Sequence, residues 1–104
     1  MERIGFVMRL LPGQEEEYRR RHNPIWPEMT AALKAAGARN YSIFLRGDEL
    51  FGYLEVEDFA GFRRSMDESP VNERWQAGMA ALIDPLTDPE TGFHQRIDEV
   101  FHLD

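Results

Sequence analysis

The apolar residues at the start of the chain alternate with polar ones. From residue 3 to residue 11, every second side chain is apolar: Ile4, Phe6, Met8 and Leu10. A period of two places these side chains on one face of an extended chain, which predicts a half-buried β-strand. Pro12-Gly13 predicts the turn that ends this strand.

The same alternation returns later in the chain. Residues 40–46 and 49–57 both predict strands, and Gly47-Asp48 between them predicts a hairpin turn. Residues 95–103 predict the last strand. Its apolar positions are Ile97, Phe101 and Leu103.

Two helices are predicted between the first strand and the hairpin. Residues 14–22, QEEEYRRRH, favour a helix with acidic residues in its first turn and basic residues in its last. Pro24 breaks this helix, Pro27 suits the first turn of a second one, and Gly37 predicts its end. The first helix carries three Glu→Arg pairs one turn apart. These pairs are Glu15/Arg19, Glu16/Arg20 and Glu17/Arg21.

Two more helices are predicted between the hairpin and the last strand. Asp58 suits the N-cap of a short helix, and Ser69-Pro70 starts another. The apolar stripe of this last helix reaches Leu82, and Asp84-Pro85 ends it. Residues 84–93 predict a polar loop.

The order of these elements predicts the fold. Each interrupted helix pair counts as one unit, so the order becomes βαββαβ, the ferredoxin-like α+β pattern, in a single domain over residues 1–104. The helices would cover one face of an antiparallel sheet. The other face would carry an apolar patch of Val7, Phe44, Phe51 and Tyr53. We expect a second copy to cover this patch, sheet against sheet, in a homodimer that forms a dimeric α+β barrel.

The composition narrows the classes of function. Nineteen acidic and 12 basic residues give a net charge of −7, which argues against binding to nucleic acid or to an anionic membrane. The absence of cysteine excludes disulfide scaffolds, thiol nucleophiles and cysteine metal sites, and fits a cytoplasmic protein. The first residues predict a strand rather than a signal peptide, and no apolar run approaches the roughly 18 residues of a membrane span.

Tyr18 and His22 are the first candidates for chemistry. They are four residues apart and therefore share one face of the predicted helix. His22 falls where the helix breaks, so its ring is expected to point toward a cleft, and imidazole titrates near neutral pH. A tyrosine hydroxyl beside it can orient the ring or a substrate hydroxyl. The alternative is a histidine that only favours the dipole at the end of a helix.

Other aromatic and basic residues also allow two interpretations. Trp26 and Trp75 fit core positions, and they also fit a platform for the apolar face of a sugar. Tyr41 opens a strand, where a solvated hydroxyl is the ordinary case. Each arginine of residues 19–21 follows a glutamate by one turn, which favours a solvated, paired surface over a phosphate site.

No motif for a cofactor is present. His94 and His102 lie far from His22 in sequence and match no metal-ligand spacing. The chain has neither a glycine-rich phosphate loop nor a serine-nucleophile motif. We therefore expect no metal and no other cofactor. One acid/base group, aromatic rings and hydroxyls suit proton transfer on a small, polar, uncharged molecule.

Longer blocks of sequence are similar to a known family. The chain from Phe6 to Leu103 resembles the L-rhamnose mutarotase family in five blocks: EEYRRRHNPIWPEM, GARNYSIFL, LFGYLEVED, ERWQAGM and the closing EVFHL. The resemblance implies a dimeric α+β barrel. It also implies cofactor-free interconversion of the α and β anomers of L-rhamnose, or of a related 6-deoxy sugar such as L-fucose.

The resemblance also implies roles for individual residues. His22 would be the proton donor, and Tyr18 and Tyr41 would bind the substrate. Trp75 takes the first position of a Trp-Trp pair that lines the sugar site in the family. Gln76 takes the second position, where it replaces a flat apolar wall by an amide that can donate and accept hydrogen bonds.

A second departure lies in a loop, and two other functions stay open. Residues 88–92, DPETG, replace the Asn-Pro-Asp-Asn-Ser-Pro loop of the family, which bears on the identity of the sugar. Dimeric α+β barrels also host haem-degrading and cofactor-free monooxygenases. A small dimeric sugar-binding or accessory domain that has lost activity is the third possibility, because Gln76 and the changed loop both depart from the family pattern.

Overall fold

A five-stranded antiparallel sheet lies at the centre of the computed structural model, which describes residues 1–104. The elements are β1 (Glu2–Leu10), α1 (Glu15–His22), α2 (Pro27–Ala35), β2 (Arg39–Arg46), β3 (Glu49–Val56), α3 (Phe59–Asp67), α4 (Pro70–Met79), β4 (Ile83–Asp84) and β5 (Gln95–Ile97). Strand β1 is the central strand, with β3 and then β2 on one side. The short strands β4 and β5 share the other edge of β1.

This order confirms the expected ferredoxin-like α+β fold. With each helix pair counted as one unit, the chain runs βαββαβ, and all strand pairs are antiparallel. The hairpin predicted at Gly47-Asp48 joins β2 to β3, which pair from Arg46↔Glu49 onward. Gly37, with a φ of +101°, follows the end of α2 in the left-handed conformation that glycine tolerates best.

The core lies between the sheet and the helices. All four side chains predicted for the inner face of β1 are buried: Ile4, Phe6, Met8 and Leu10. They pack against apolar residues of β3 and of all four helices in one continuous cluster. Gly52 of β3 pairs with Phe6 of β1, and the phenyl ring occupies the space where a Cβ at residue 52 would lie. The ring position therefore depends on this glycine.

The helix starts differ in how they are capped. The Ser69 hydroxyl accepts a hydrogen bond from the Asn72 backbone N–H at 3.2 Å, as the sequence suggested for α4. Asp58 occupies the N-cap position of α3, but its side chain forms no capping bond. The Glu2 carboxylate instead accepts the Phe59 N–H at 2.8 Å, so a residue from β1 satisfies this helix end.

The predicted Glu→Arg pairing on α1 is correct for one glutamate only. Glu17 accepts hydrogen bonds from Arg20 and Arg21, each at 2.7 Å, and these bonds lower its pKa to about 2. Glu15 and Glu16 form no such pair. Arg19 therefore has no glutamate partner, and it lines a cavity beside α1 instead. The prediction of a fully paired surface at residues 19–21 was wrong.

The last third of the chain departs most from the expectation. Helix α4 ends at Met79 rather than beyond Leu82, because Ile83 pairs with Leu10 as part of β4. The last strand was expected over 95–103 but covers only Gln95–Ile97.

The end of β5 has a physical reason. Backbone pairing with β1 stops at Ile97. Beyond it, the contact with β1 is an ion pair of side chains, in which the Arg3 guanidinium binds the Glu99 carboxylate at 2.9 Å. The residues that follow β5 leave three large apolar side chains exposed: Val100, Phe101 and Leu103.

The outer face of the sheet carries the apolar patch that the alternation predicted. Val7, Phe51 and Tyr53 are half-buried there, and Phe44 is 64% exposed. The helices all pack on the opposite face, against the core. No helix of the chain has the length and apolar character needed to cross a membrane.

Candidate active site

The largest cavity described here lies between the sheet and the helices and measures about 980 Å³. All five candidate site residues line it: Tyr18, His22, Tyr41, Trp75 and Gln76. They come from α1, β2 and α4, so the fold brings together residues that lie as many as 58 positions apart in the sequence. A smaller cavity of about 580 Å³ beside α3 is lined mainly by charged and small side chains, without histidine or tyrosine.

His22 ends α1, and its ring is held by its own helix. Its Nδ1 lies 2.8 Å from the backbone carbonyl of Tyr18. A carbonyl oxygen only accepts, so Nδ1 carries the hydrogen and Nε2 is the nitrogen left to exchange a proton. Burial lowers the pKa of His22 below 6.5, and the bond to Tyr18 opposes that shift. The sequence suggested that the tyrosine hydroxyl would orient this ring, but the Tyr18 carbonyl does so.

Tyr18 and Tyr41 place two phenols in the cavity. Tyr18 is buried, and its ring centroid lies 4.3 Å from that of His22. Burial raises the pKa of Tyr18 to about 12. Tyr41 is 36% exposed as a whole residue, yet burial of its phenol also raises its pKa. Both phenols therefore stay protonated at neutral pH and can donate hydrogen bonds.

The tryptophans form an aromatic wall beside His22. The ring of Trp75 meets the imidazole edge-on at 5.1 Å and meets Trp26, also edge-on, at 5.1 Å. Trp75 is only 6% exposed and belongs to the core while it lines the cavity. The prediction of Trp75 as a core residue is therefore confirmed, while its role as a platform for a sugar stays a prediction. Gln76, the next residue, is exposed and donates to the Asn72 side chain at 3.2 Å.

Arg21 connects the helix that carries His22 to the helix that carries Trp75. Its guanidinium binds Glu17 on α1 and donates to the Gly78 carbonyl of α4 at 2.7 Å. Of the three neighbouring arginines, Arg21 supports the site and Arg19 lines the cavity.

His94 also lines this cavity, although its sequence position gave no reason to expect it. It lies in an irregular hairpin, where Thr87 and His94 form an antiparallel bridge. Its ring stacks on Phe6 with centroids 5.0 Å apart, and its Nδ1 lies 2.9 Å from the Pro85 carbonyl. Burial lowers the pKa of His94. The loop over residues 84–93 was predicted only as polar, and no spacing in it indicated this return to the cavity.

The cavity thus combines two half-buried imidazoles with neutral phenols and aromatic walls. Nowhere in the chain do three metal-ligating side chains converge. Such a site can move protons on a neutral, hydroxyl-rich molecule, since aromatic rings pack against apolar C–H faces and phenols bind hydroxyl groups.

Comparison with known proteins identifies the family. The family model described as L-rhamnose mutarotase matches residues 3–103. The chain belongs to the L-rhamnose mutarotase family. Curated relatives support this assignment over the whole length. The L-rhamnose mutarotase of Oceanobacillus iheyensis is 42% identical over 106 residues and that of Listeria monocytogenes 44% over 107 residues. The alignments cover 100% and 99%, respectively, of both chains compared.

Solved structures share the fold. The crystal structure of L-rhamnose mutarotase from Formosa agariphila matches this member of the family with a TM-score of 0.81 at 28% identity, over 100% of both chains. Tetracenomycin F2 cyclase from Streptomyces glaucescens matches with a TM-score of 0.69 at 14% identity, over 100% of this chain and 98% of the cyclase. At that identity, the second likeness concerns the fold alone.

Proposed function

We propose that this protein interconverts the α and β anomers of L-rhamnose by general acid–base catalysis. One observation carries the proposal: His22 holds a proton-exchanging nitrogen inside an aromatic cavity of a chain that belongs to the mutarotase family. We place this activity in the cytoplasm, which the cysteine-free composition supports.

The reaction needs little from the protein. A pyranose changes anomer when its hemiacetal ring opens to the aldehyde and closes on the other face of the carbonyl. The anomeric hydroxyl loses a proton while the ring oxygen gains one. Since the reaction already proceeds slowly in water, the ~10²–10⁴-fold supplied by general acid–base groups is useful acceleration.

His22 is the proposed acid that protonates the ring oxygen. Its Nδ1 is occupied by the Tyr18 carbonyl, so the proton is delivered from Nε2. The neighbouring Trp75 ring packs against the imidazole edge-on and limits its rotation. Tyr18 thus acts in two ways in this proposal, since its carbonyl orients His22 and its phenol binds the sugar.

The remaining groups are proposed to hold the pyranose. Tyr41 and Tyr18 remain protonated near neutral pH because burial raises the pKa of each, and so they donate to sugar oxygens. Trp75 offers a flat apolar surface for the C–H face of the ring. Gln76, which already bonds to Asn72, would add an amide at the rim, where it can select among sugars by their hydroxyl pattern.

Saturation-transfer proton NMR tests this function directly. The anomeric signal of one anomer is saturated in L-rhamnose, L-fucose and D-glucose, with and without protein. We expect rapid transfer to the other anomer for L-rhamnose. Faster exchange with L-fucose would assign the sugar preference to Gln76 and residues 88–92. Sugar binding without exchange would instead mark a binding domain and contradict the proposal.

We further propose that the working form is a homodimer in which two sheets face each other. The patch of Val7, Phe44, Phe51 and Tyr53 lies on the face that no helix covers, and the residues after β5 leave further apolar side chains exposed. Sedimentation should give twice the mass of one chain at micromolar concentration. Phe44→Glu should shift the mass toward one chain, because it puts a charge in the patch. A wild type of single-chain mass would refute the dimer.

A further inference from the structure

We propose that His94 is the base that partners His22, accepting the proton of the anomeric hydroxyl while His22 protonates the ring oxygen. This inference rests on the proposed mutarotase function and names its second proton-transfer group. Both imidazoles line the one cavity of about 980 Å³, yet they come from opposite ends of the sequence.

The geometry of His94 repeats that of His22. In each ring, Nδ1 lies within 2.9 Å of a backbone carbonyl, that of Pro85 for His94 and that of Tyr18 for His22. A carbonyl accepts but never donates, so each Nδ1 keeps its hydrogen in both charge states. Only Nε2 can gain or lose a proton, and in the neutral ring it carries a free lone pair. Both rings are therefore prepared for proton transfer at one defined atom.

Packing and backbone bonds hold the His94 ring in place. It stacks on Phe6 at an interplanar angle of 17° and contacts Phe93, with centroids 4.8 Å apart. The backbone on both sides is bonded as a hairpin, since Asp88 N–H donates to Phe93 at 2.7 Å and Gln95 N–H donates to Leu86 at 3.1 Å. The same Phe6 ring also meets Tyr41 edge-on at 6.2 Å, which links His94 to the phenols of the proposed sugar site.

The remaining histidine lacks these features. The Nε2 of His102 lies 2.7 Å from the Asp104 carboxylate, and its Nδ1 lies 3.9 Å from Glu99. It belongs to the exposed segment after β5 and lines neither of the cavities described above. His102 therefore serves as a matched control for His94.

The surroundings of His94 favour the neutral, proton-accepting form. Burial lowers its pKa most, the bond to the Pro85 carbonyl opposes that shift, and the Arg63 guanidinium of α3 adds to the lowering by repulsion. Arg63 lies over the Phe93 ring and donates to the Thr91 carbonyl at 3.0 Å, with Asp67 of the same helix 3.9 Å away. The cation is thus fixed beside the hairpin that carries His94. A neutral imidazole there can accept a proton from a hydroxyl group.

The proton balance closes over one full cycle. His94 Nε2 takes the proton of the anomeric hydroxyl, the bond from the anomeric carbon to the ring oxygen breaks, and that oxygen takes the proton of His22. The site then holds a cationic His94, a neutral His22 and the open-chain aldehyde. After rotation about the carbon–carbon bond next to the aldehyde, the hydroxyl formed from the ring oxygen attacks the other face of the aldehyde carbon. It returns its proton to His22, and the carbonyl oxygen recovers the proton from His94.

The variant His94→Asn tests this role. Its side-chain amide can still donate to the Pro85 carbonyl but has no titrating nitrogen. We expect kcat/KM for L-rhamnose exchange to fall by about 10- to 100-fold, less than for loss of the acid, because water can replace a base. His102→Asn should leave the rate unchanged. The wild-type rate should fall at acidic pH as His94 is protonated, and His94→Asn should lose that acidic limb.

Three outcomes would overturn the inference. Exchange by His94→Asn at the wild-type rate would remove the role, and so would an unchanged acidic limb in its pH profile. A rate loss with ring signals of His22 displaced in proton–nitrogen NMR spectra would assign His94 to structure instead. Failure of the proposed function is distinguishable, since wild-type protein would then show no exchange, although the His94 signals could still shift on addition of L-rhamnose.

Discussion

Replacement of His22 by asparagine is expected to slow L-rhamnose anomer exchange by about 10²–10⁴-fold, the range for a positioned acid–base group. The asparagine amide can take over the bond to the Tyr18 carbonyl, so the end of α1 should keep its conformation. What disappears is the Nε2 proton. Exchange is measured by saturation transfer between the two anomeric signals at equal protein concentration.

The pH dependence of the exchange rate tests whether His22 acts as an acid. Burial lowers its pKa from 6.5, so the acidic form becomes abundant only as the pH falls below that value. From the alkaline side, the wild-type rate should therefore rise as the pH falls toward the pKa of His22, and this rise should be absent from His22→Asn. The decrease expected at more acidic pH belongs to protonation of His94 and should remain in His22→Asn. His102→Asn, which lies outside the cavity, provides the control. A variant at residue 22 with full activity would refute the acid role.

The substitution Gly52→Ala is expected to destabilise the fold by about 3 kcal/mol, at the upper end for overpacking in a core. The new methyl group would overlap the Phe6 ring, which is fully buried. That ring has no free side to move to, because Tyr41, Phe93 and His94 pack around it. The free energy of unfolding is measured by denaturant titration.

A second substitution shows whether this overlap is the cause. Phe6→Leu shortens the side chain that the methyl group meets, so the double variant should lose less stability than the sum of the two single variants. Gly78→Ala is the matched control: its Cβ would meet only the Arg21 guanidinium at 3.6 Å, and alanine favours a helix. Equal stability of Gly52→Ala and wild type would contradict the steric argument.

Local patterns predicted most of the sheet and the helix starts. The alternation of apolar and polar residues around Phe6 indicates which face of β1 is buried. A shift of the strand by one residue would turn its apolar side chains away from the core, so only one register is favourable. Likewise, the spacing of Tyr18 and His22 on one short helix is enough to place both rings together. These features depend on neighbours within one turn or one pleat, which a sequence displays directly.

Features that depend on distant partners could not be predicted in this way. The end of α4 is set by the pairing of Ile83 with Leu10, and the end of β5 lies where Arg3 binds Glu99. Both are contacts between residues more than 70 positions apart. His94 belongs to the same class, since it reaches the cavity only through a hairpin closed by backbone bonds. The residues around His94 show no helical or strand periodicity that would indicate that it faces the cavity.

The aromatic wall has a practical consequence for studies of this protein. The chain contains two tryptophans, and one lines the cavity while the other packs edge-on against it. Light at the red edge of the protein absorption spectrum is therefore absorbed by Trp75 at the cavity and by Trp26 beside it. Intrinsic fluorescence should report occupancy without a label, and the imidazole against Trp75 makes the emission sensitive to its charge. The protein therefore carries its own optical probe at the proposed sugar site.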